Sequence, residues 1–111
     1  FMKNFSLFLF MVLPSLLFSQ KIFSTEYSSQ SDINVFVVDY ESQSDLKVFK
    51  VDYPSQSKGN EGLWHFVEYS SQSDKKIYFV DHKSQSDLNI FFVDYKSQSG
   101  WKTNSKRHLL Y

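Results

Sequence analysis

The sequence predicts an all-β fold, an array of short strands with a period of about 13 residues arranged in two similar halves. Three observations carry this. Ser-Gln-Ser returns from Ser29, Ser42 and Ser55, then from Ser71, Ser84 and Ser97, at 13-residue steps within each set. Runs of strand length, rich in β-branched and aromatic residues, fill the intervals. A single step of 16 separates the sets, so that Ser71 corresponds to Ser29. A fixed short period means one structural unit copied many times. A β-solenoid is the alternative architecture, although the bulky residue in every copy suits a narrow solenoid rung poorly.

The chain opens with a segment that reads as an export signal. Lys3 supplies a basic start, Phe5 to Phe18 is almost wholly apolar, and Ser19 offers a small residue for cleavage. The apolar run falls short of the ~20 residues of a spanning helix, and Pro14 interrupts it. Residues 1–19 are therefore expected to be a signal peptide, and residues 20–111 a single repeat-built β domain in the periplasm or outside the cell, without a membrane span after cleavage.

The repeats follow. Aligned on the residue that ends each run, they are KIFSTEY (21–27), INVFVVDY (33–40), LKVFKVDY (46–53), LWHFVEY (63–69), KIYFVDH (76–82) and LNIFFVDY (88–95). No apolar three-and-four spacing argues for helix. Side chains two apart share a face of a strand. Phe23, Phe36, Phe49, His65, Tyr78 and Phe91 therefore lie on one face with Thr25, Val38, Val51, Val67, Val80 and Val93 and the terminal aromatics. This bulky face is the expected core. The opposite face, Ile22, Val35, Val48, Trp64, Ile77 and Ile90, is also apolar, and strands apolar on both sides lie between layers. Ser and Asp between the runs are turn residues whose side chains are expected to bond nearby backbone amides. Residues 58–62, Lys-Gly-Asn-Glu-Gly, lengthen the central step and divide the array into halves that should pack with approximate two-fold symmetry. Residues 100–111 break the repeat, and their Trp101, Leu109 and Leu110 predict a segment that docks on the array and closes it.

The motif VFxVDYxSQSD, the central insertion and the ending SQSGWKTNSKRHLLY resemble a small bacterial domain of unknown function with a seven-crossing (septoil) knot. The resemblance spans residues 21–111. It implies a knotted all-β fold and export in Bacteroidetes-type bacteria, and it brings no active site to these positions.

Composition narrows the chemistry. Twelve Lys+Arg balance twelve Asp+Glu with no basic cluster, which gives no electrostatic reason for a nucleic-acid partner. There is no cysteine for disulfide reinforcement. Two acidic columns stand out: Glu26, Asp39, Asp52, Glu68, Asp81 and Asp94 before the terminal aromatics, and Asp32, Asp45, Asp74 and Asp87 in the turns. Stacked carboxylates suit Ca²⁺, but the Gly-rich loops of calcium repeats are missing. A structural role is expected, with Lys47, Lys50, Lys75, Lys76, Lys83 and Lys96 as ion-pair partners. Every Ser recurs as a turn residue, whereas a nucleophile needs one Ser held by one base. His65, His82 and His108 have no metal-ligand spacing. The expectation is thus no catalytic residue, no cofactor and no metal. The domain reads as a non-enzymatic structural or interaction module with a protein or envelope-glycan partner, and a carbohydrate- or divalent-cation-binding module is the alternative.

Overall fold

The computed structural model describes residues 19–111, so the leader expectation for 1–18 lies outside the described residues. Ser19 is already engaged with the domain: its hydroxyl donates to Asp74 Oδ2 at 2.7 Å. The strands are β1 (Lys21–Ser24), β2 (Ile33–Val37), β3 (Leu46–Lys50), β4 (Leu63–Phe66), β5 (Lys75–Phe79), β6 (Leu88–Phe92) and β7 (Gly100–Trp101). Each of the first six is the apolar run of one repeat, and each is followed by a short 3₁₀ turn built on Ser-Gln or Pro-Ser-Gln.

The turn chemistry is the same in all six copies. The Gln backbone N–H donates to the carbonyl of the terminal aromatic or His82, each at 3.0 Å. The last Ser then donates its Oγ–H to the carbonyl three residues back, as Ser44 does to Glu41 O at 2.7 Å and Ser86 to Lys83 O at 2.9 Å. The hydroxyl thus satisfies a carbonyl at the end of the turn, where the sequence had suggested a bond to an amide.

The strands do not neighbour one another in chain order. Around the sheet the order is β4-β1-β5-β2-β6-β3, and β3 also pairs with β4, so six parallel strands close into a barrel. Strands of the first half alternate with strands of the second. The two halves therefore interleave instead of packing as separate blocks. The register climbs steadily: the last residue of β1, Ser24, faces Ile77 in mid-β5, which in turn faces Ile33 at the start of β2. Such stagger is what a tilted, closed sheet requires.

Closure decides which face is inside, and it overturns the expected core. The interior is lined by Ile22, Val35, Val48, Trp64, Ile77 and Ile90, with Ile33, Leu46 and Leu88 from the strand starts. A six-stranded barrel is too narrow for a phenyl ring from every strand, whereas β-branched residues and one Trp fill it. Phe23, Phe36, Phe49, Tyr78 and Phe91 lie half-buried on the outer face. Turns lie against that side of the ring: β1 packs against the turn after β4, β2 against the turn after β5, and β3 against the turn after β6. Val38 and Val51 are buried in this outer layer. The terminal tyrosines leave it altogether, because the chain bends at each acid and carries the ring into solvent.

The tail closes the fold as expected, by a route of its own. β7 pairs antiparallel with the first part of β3, beyond the stretch that β4 occupies. Leu110, only 4% exposed, joins the core cluster. Asn60 in the central insertion ties the ends together. Its Oδ1 accepts from Gln20 Nε2 at 2.7 Å, its Nδ2 donates to Arg107 O at 3.0 Å, and its carbonyl accepts from Trp101 Nε1 at 2.8 Å. Arg107 also bonds Glu61 and Tyr111, and these hydrogen bonds raise its pKa further.

Candidate functional site

Four turn aspartates, Asp32, Asp45, Asp74 and Asp87, have one structural task. Each carboxylate accepts a backbone N–H from the first or second residue of a neighbouring strand. Asp32 Oδ2 takes Lys76 N at 2.8 Å, Asp45 takes Asn89 N at 2.9 Å, Asp74 takes Lys21 N at 3.0 Å and Asp87 takes Asn34 N at 2.8 Å. The N–H of the same Asp returns a bond to that residue's carbonyl. The Asp after Ser-Gln-Ser is therefore a clasp between the two interleaved halves.

The other acid column is exposed. None of Glu26, Asp39, Asp52, Glu68, Asp81 and Asp94 forms an ion pair among the described residues. The expected pairing with lysine is not found there. Lys47 pairs with Glu41 at 3.3 Å, and Asp45 pairs with Lys106. Among the described residues no three carboxylates or imidazoles gather closely enough to share a cation.

Two surfaces remain. The first is a tier of tyrosines: Tyr27, Tyr40, Tyr53, Tyr69 and Tyr95 stand at equivalent turn entrances and are 62–68% exposed. His82 occupies the sixth place. Each ring follows directly after one of the exposed acids. Beside the lengthened central step a groove of about 600 Å³ opens, lined by Lys21, Pro54, His65, Glu68, Tyr69 and Gln72 among others. There the ring of His65 meets Val51 O at 3.2 Å through Nδ1, which must carry the proton to bond a carbonyl.

The second surface is the C-terminal mouth of the barrel. Each of the six barrel strands contributes one residue to it: Ser24, Val37, Lys50, Phe66, Phe79 and Phe92. They line a cavity of about 430 Å³. Each stands two residues after an interior side chain and so continues the inner column outward. Lys50 Nζ lies 4.5 Å from the centre of the Phe92 ring and 5.7 Å from that of Phe66.

The interleaved winding is the path a two-strand torus knot needs, since two halves of one chain turn about a common axis in the same sense. Residues 19–102 match the family described as the 7(1) septoil knot domain. The chain belongs to the septoil-knot family. No curated protein and no solved structure matches it. The match begins at Ser19, the residue already bonded to Asp74, and covers all seven strands of the septoil-knot domain.

Of the single-copy residues, Trp64 is interior, His82 and His108 are exposed, and Trp101 and Arg107 meet at the Asn60 closure. Sequence reasoning missed the mouth. Its column reads Ser, Val, Lys, Phe, Phe, Phe and shows no shared residue type. Only the position, two after each interior residue, could have marked it.

Proposed function

We propose that the septoil-knot domain is an exported, non-enzymatic interaction module that presents the tyrosine tier to a partner. The observation that carries this is the tier itself. Five tyrosines sit at equivalent turn entrances with most of each ring in solvent, while the aromatics four positions earlier in the outer layer, Phe23, Phe36, Phe49 and Phe91, are half-buried. Tyr offers large contact area at low conformational cost, which is why binding surfaces favour it. The rings stand on a backbone fixed by hydrogen bonds in every turn.

A non-catalytic role draws support from the serines. The last Ser of each turn gives its proton to a backbone carbonyl, which is a structural use and not nucleophile activation. Export draws support from the basic-then-apolar leader.

An envelope glycan is the partner that the tier suits best. Each phenol ring has a carboxylate as its chain neighbour, so a sugar face can stack on the ring while its hydroxyls reach an acceptor. The test is retention of the purified domain on insoluble cell-wall polysaccharide. Replacing Tyr27, Tyr40 and Tyr53 together with Ala should abolish retention and leave the circular dichroism unchanged. A folded triple variant that is retained like the parent refutes the reading.

A further inference from the structure

The mouth of the barrel is a second site with its own chemistry. Its floor is solid: the six interior residues immediately below, Ile22, Val35, Val48, Trp64, Ile77 and Ile90, are all fully buried. A ligand therefore rests in a cup and cannot pass down the barrel. The walls are apolar on five of six sides if Ser24 is counted by its methylene, and three of them are phenyl rings. At about 430 Å³ the cup lies within the range of roughly 300–1,000 Å³ typical of small-molecule sites.

Lys50 is the single charged member of this ring. Its ammonium sits over Phe92 and Phe66, and no carboxylate lies within ion-pair distance of it among the described residues. Aromatic walls remove water from one side of the ammonium without neutralising it, so an entering anion gains a partner that is partly desolvated already. The exposed acids Glu26, Asp39, Asp52, Glu68, Asp81 and Asp94 stand two residues farther along each strand. Being solvated, they act only through a field that salt screens over about 10 Å at 0.1 M. That field opposes a dianion more than a monoanion.

We propose that the mouth binds a small amphipathic carboxylate, its head group paired with Lys50 and its apolar body laid against Phe66, Phe79 and Phe92. The mouth shares Phe66 with the groove beside Tyr69, yet its recognition chemistry rests on Lys50 and the phenyl rings and does not depend on the glycan reading. It also gives Lys50 a role at a strand position where the equivalent residues in the other copies are uncharged.

The experiment compares decanoate with decyltrimethylammonium, both below micelle formation, by calorimetry and by NMR shifts of the Phe ring protons. Decanoate should bind with one-to-one stoichiometry, perturb Phe79 and Phe92, and bind at least tenfold more tightly than the cation. Lys50→Met keeps the apolar stem and should weaken decanoate at least tenfold, whereas Lys50→Arg should bind within about threefold of the parent. Lys50 is exposed, so both variants should fold, and circular dichroism checks this. Tighter binding of decyltrimethylammonium, improved further by Lys50→Met, would show that the phenyl rings form a cation cage and overturn the proposal. So would decanoate binding that is unaffected by Lys50→Met, or shift changes spread over the surface away from the mouth.

Discussion

At the scale of single residues, two glycines separate conformational need from space. Gly62 has φ +83°, and a Cβ there would stand 2.3 Å from Lys47 O, a backbone atom that cannot step aside cheaply. Gly59 has φ +80° but nothing within 4 Å of the same construction. Gly59→Ala should therefore cost only the left-handed strain, about 1 kcal/mol. Gly62→Ala should cost about 3 kcal/mol or more, because clash adds to strain. Equal denaturant midpoints for the two variants would contradict this account of the insertion. The Asp clasps act at the same scale. Asp87→Ala removes one charge-assisted bond to Asn34 N at an exposed site and should lower stability by about 1–2 kcal/mol. Asp94→Ala, in the solvated column, should change it by less than about 0.5 kcal/mol. A pair of thermal melts distinguishes them.

At the scale of strands and turns, the closed barrel reverses an expectation that had looked secure. Ile77 is fully buried inside, whereas Phe36 is half-buried outside. Ile77→Ala should cost about 2–5 kcal/mol. Phe36→Ala should cost no more than this, although it removes the larger side chain. A markedly greater loss for Phe36→Ala would place the weight of the core in the outer layer. The strands and their bounding turns were legible in the sequence, since β-branched runs and Ser-Gln-Ser mark both without tertiary help. The inner face was not. Ile22, Val35 and Val48 alternate with Phe23, Phe36 and Phe49, so periodicity supplies two apolar faces and no reason to choose. Burial follows from closure, and closure depends on pairing between strands distant in the chain. Identical periods in the two halves also leave the pairing order open, because a slip by one whole repeat preserves every apolar column. The mouth was hidden for a related reason: six unlike side chains become one site only when six strands form a ring.

At the scale of the molecule, the tail and the insertion hold the ends of a winding that has few other locks. Deleting residues 103–111 removes buried Leu110 and the Arg107 carbonyl that Asn60 bonds. Unfolding should accelerate by more than tenfold, measured by stopped-flow dilution into denaturant. An unchanged rate would make the tail an ornament. Withdrawing a threaded end is a slow step, so the intact domain should be protected kinetically beyond what its equilibrium stability implies. The alternation of strands has a further effect on the order of events during synthesis. β1, β2 and β3 find every ladder partner in the later part of the chain. A nascent polypeptide that has emerged only as far as Gln56 holds three strands with nothing to pair with. Contacts of such long sequence separation postpone folding. Hydrogen exchange on a fragment of residues 19–56 should accordingly show no protected amides. If the chain is exported as proposed, this enforced lateness would keep the polypeptide a loose thread during passage through a translocation channel, and the knot would tighten only on the far side.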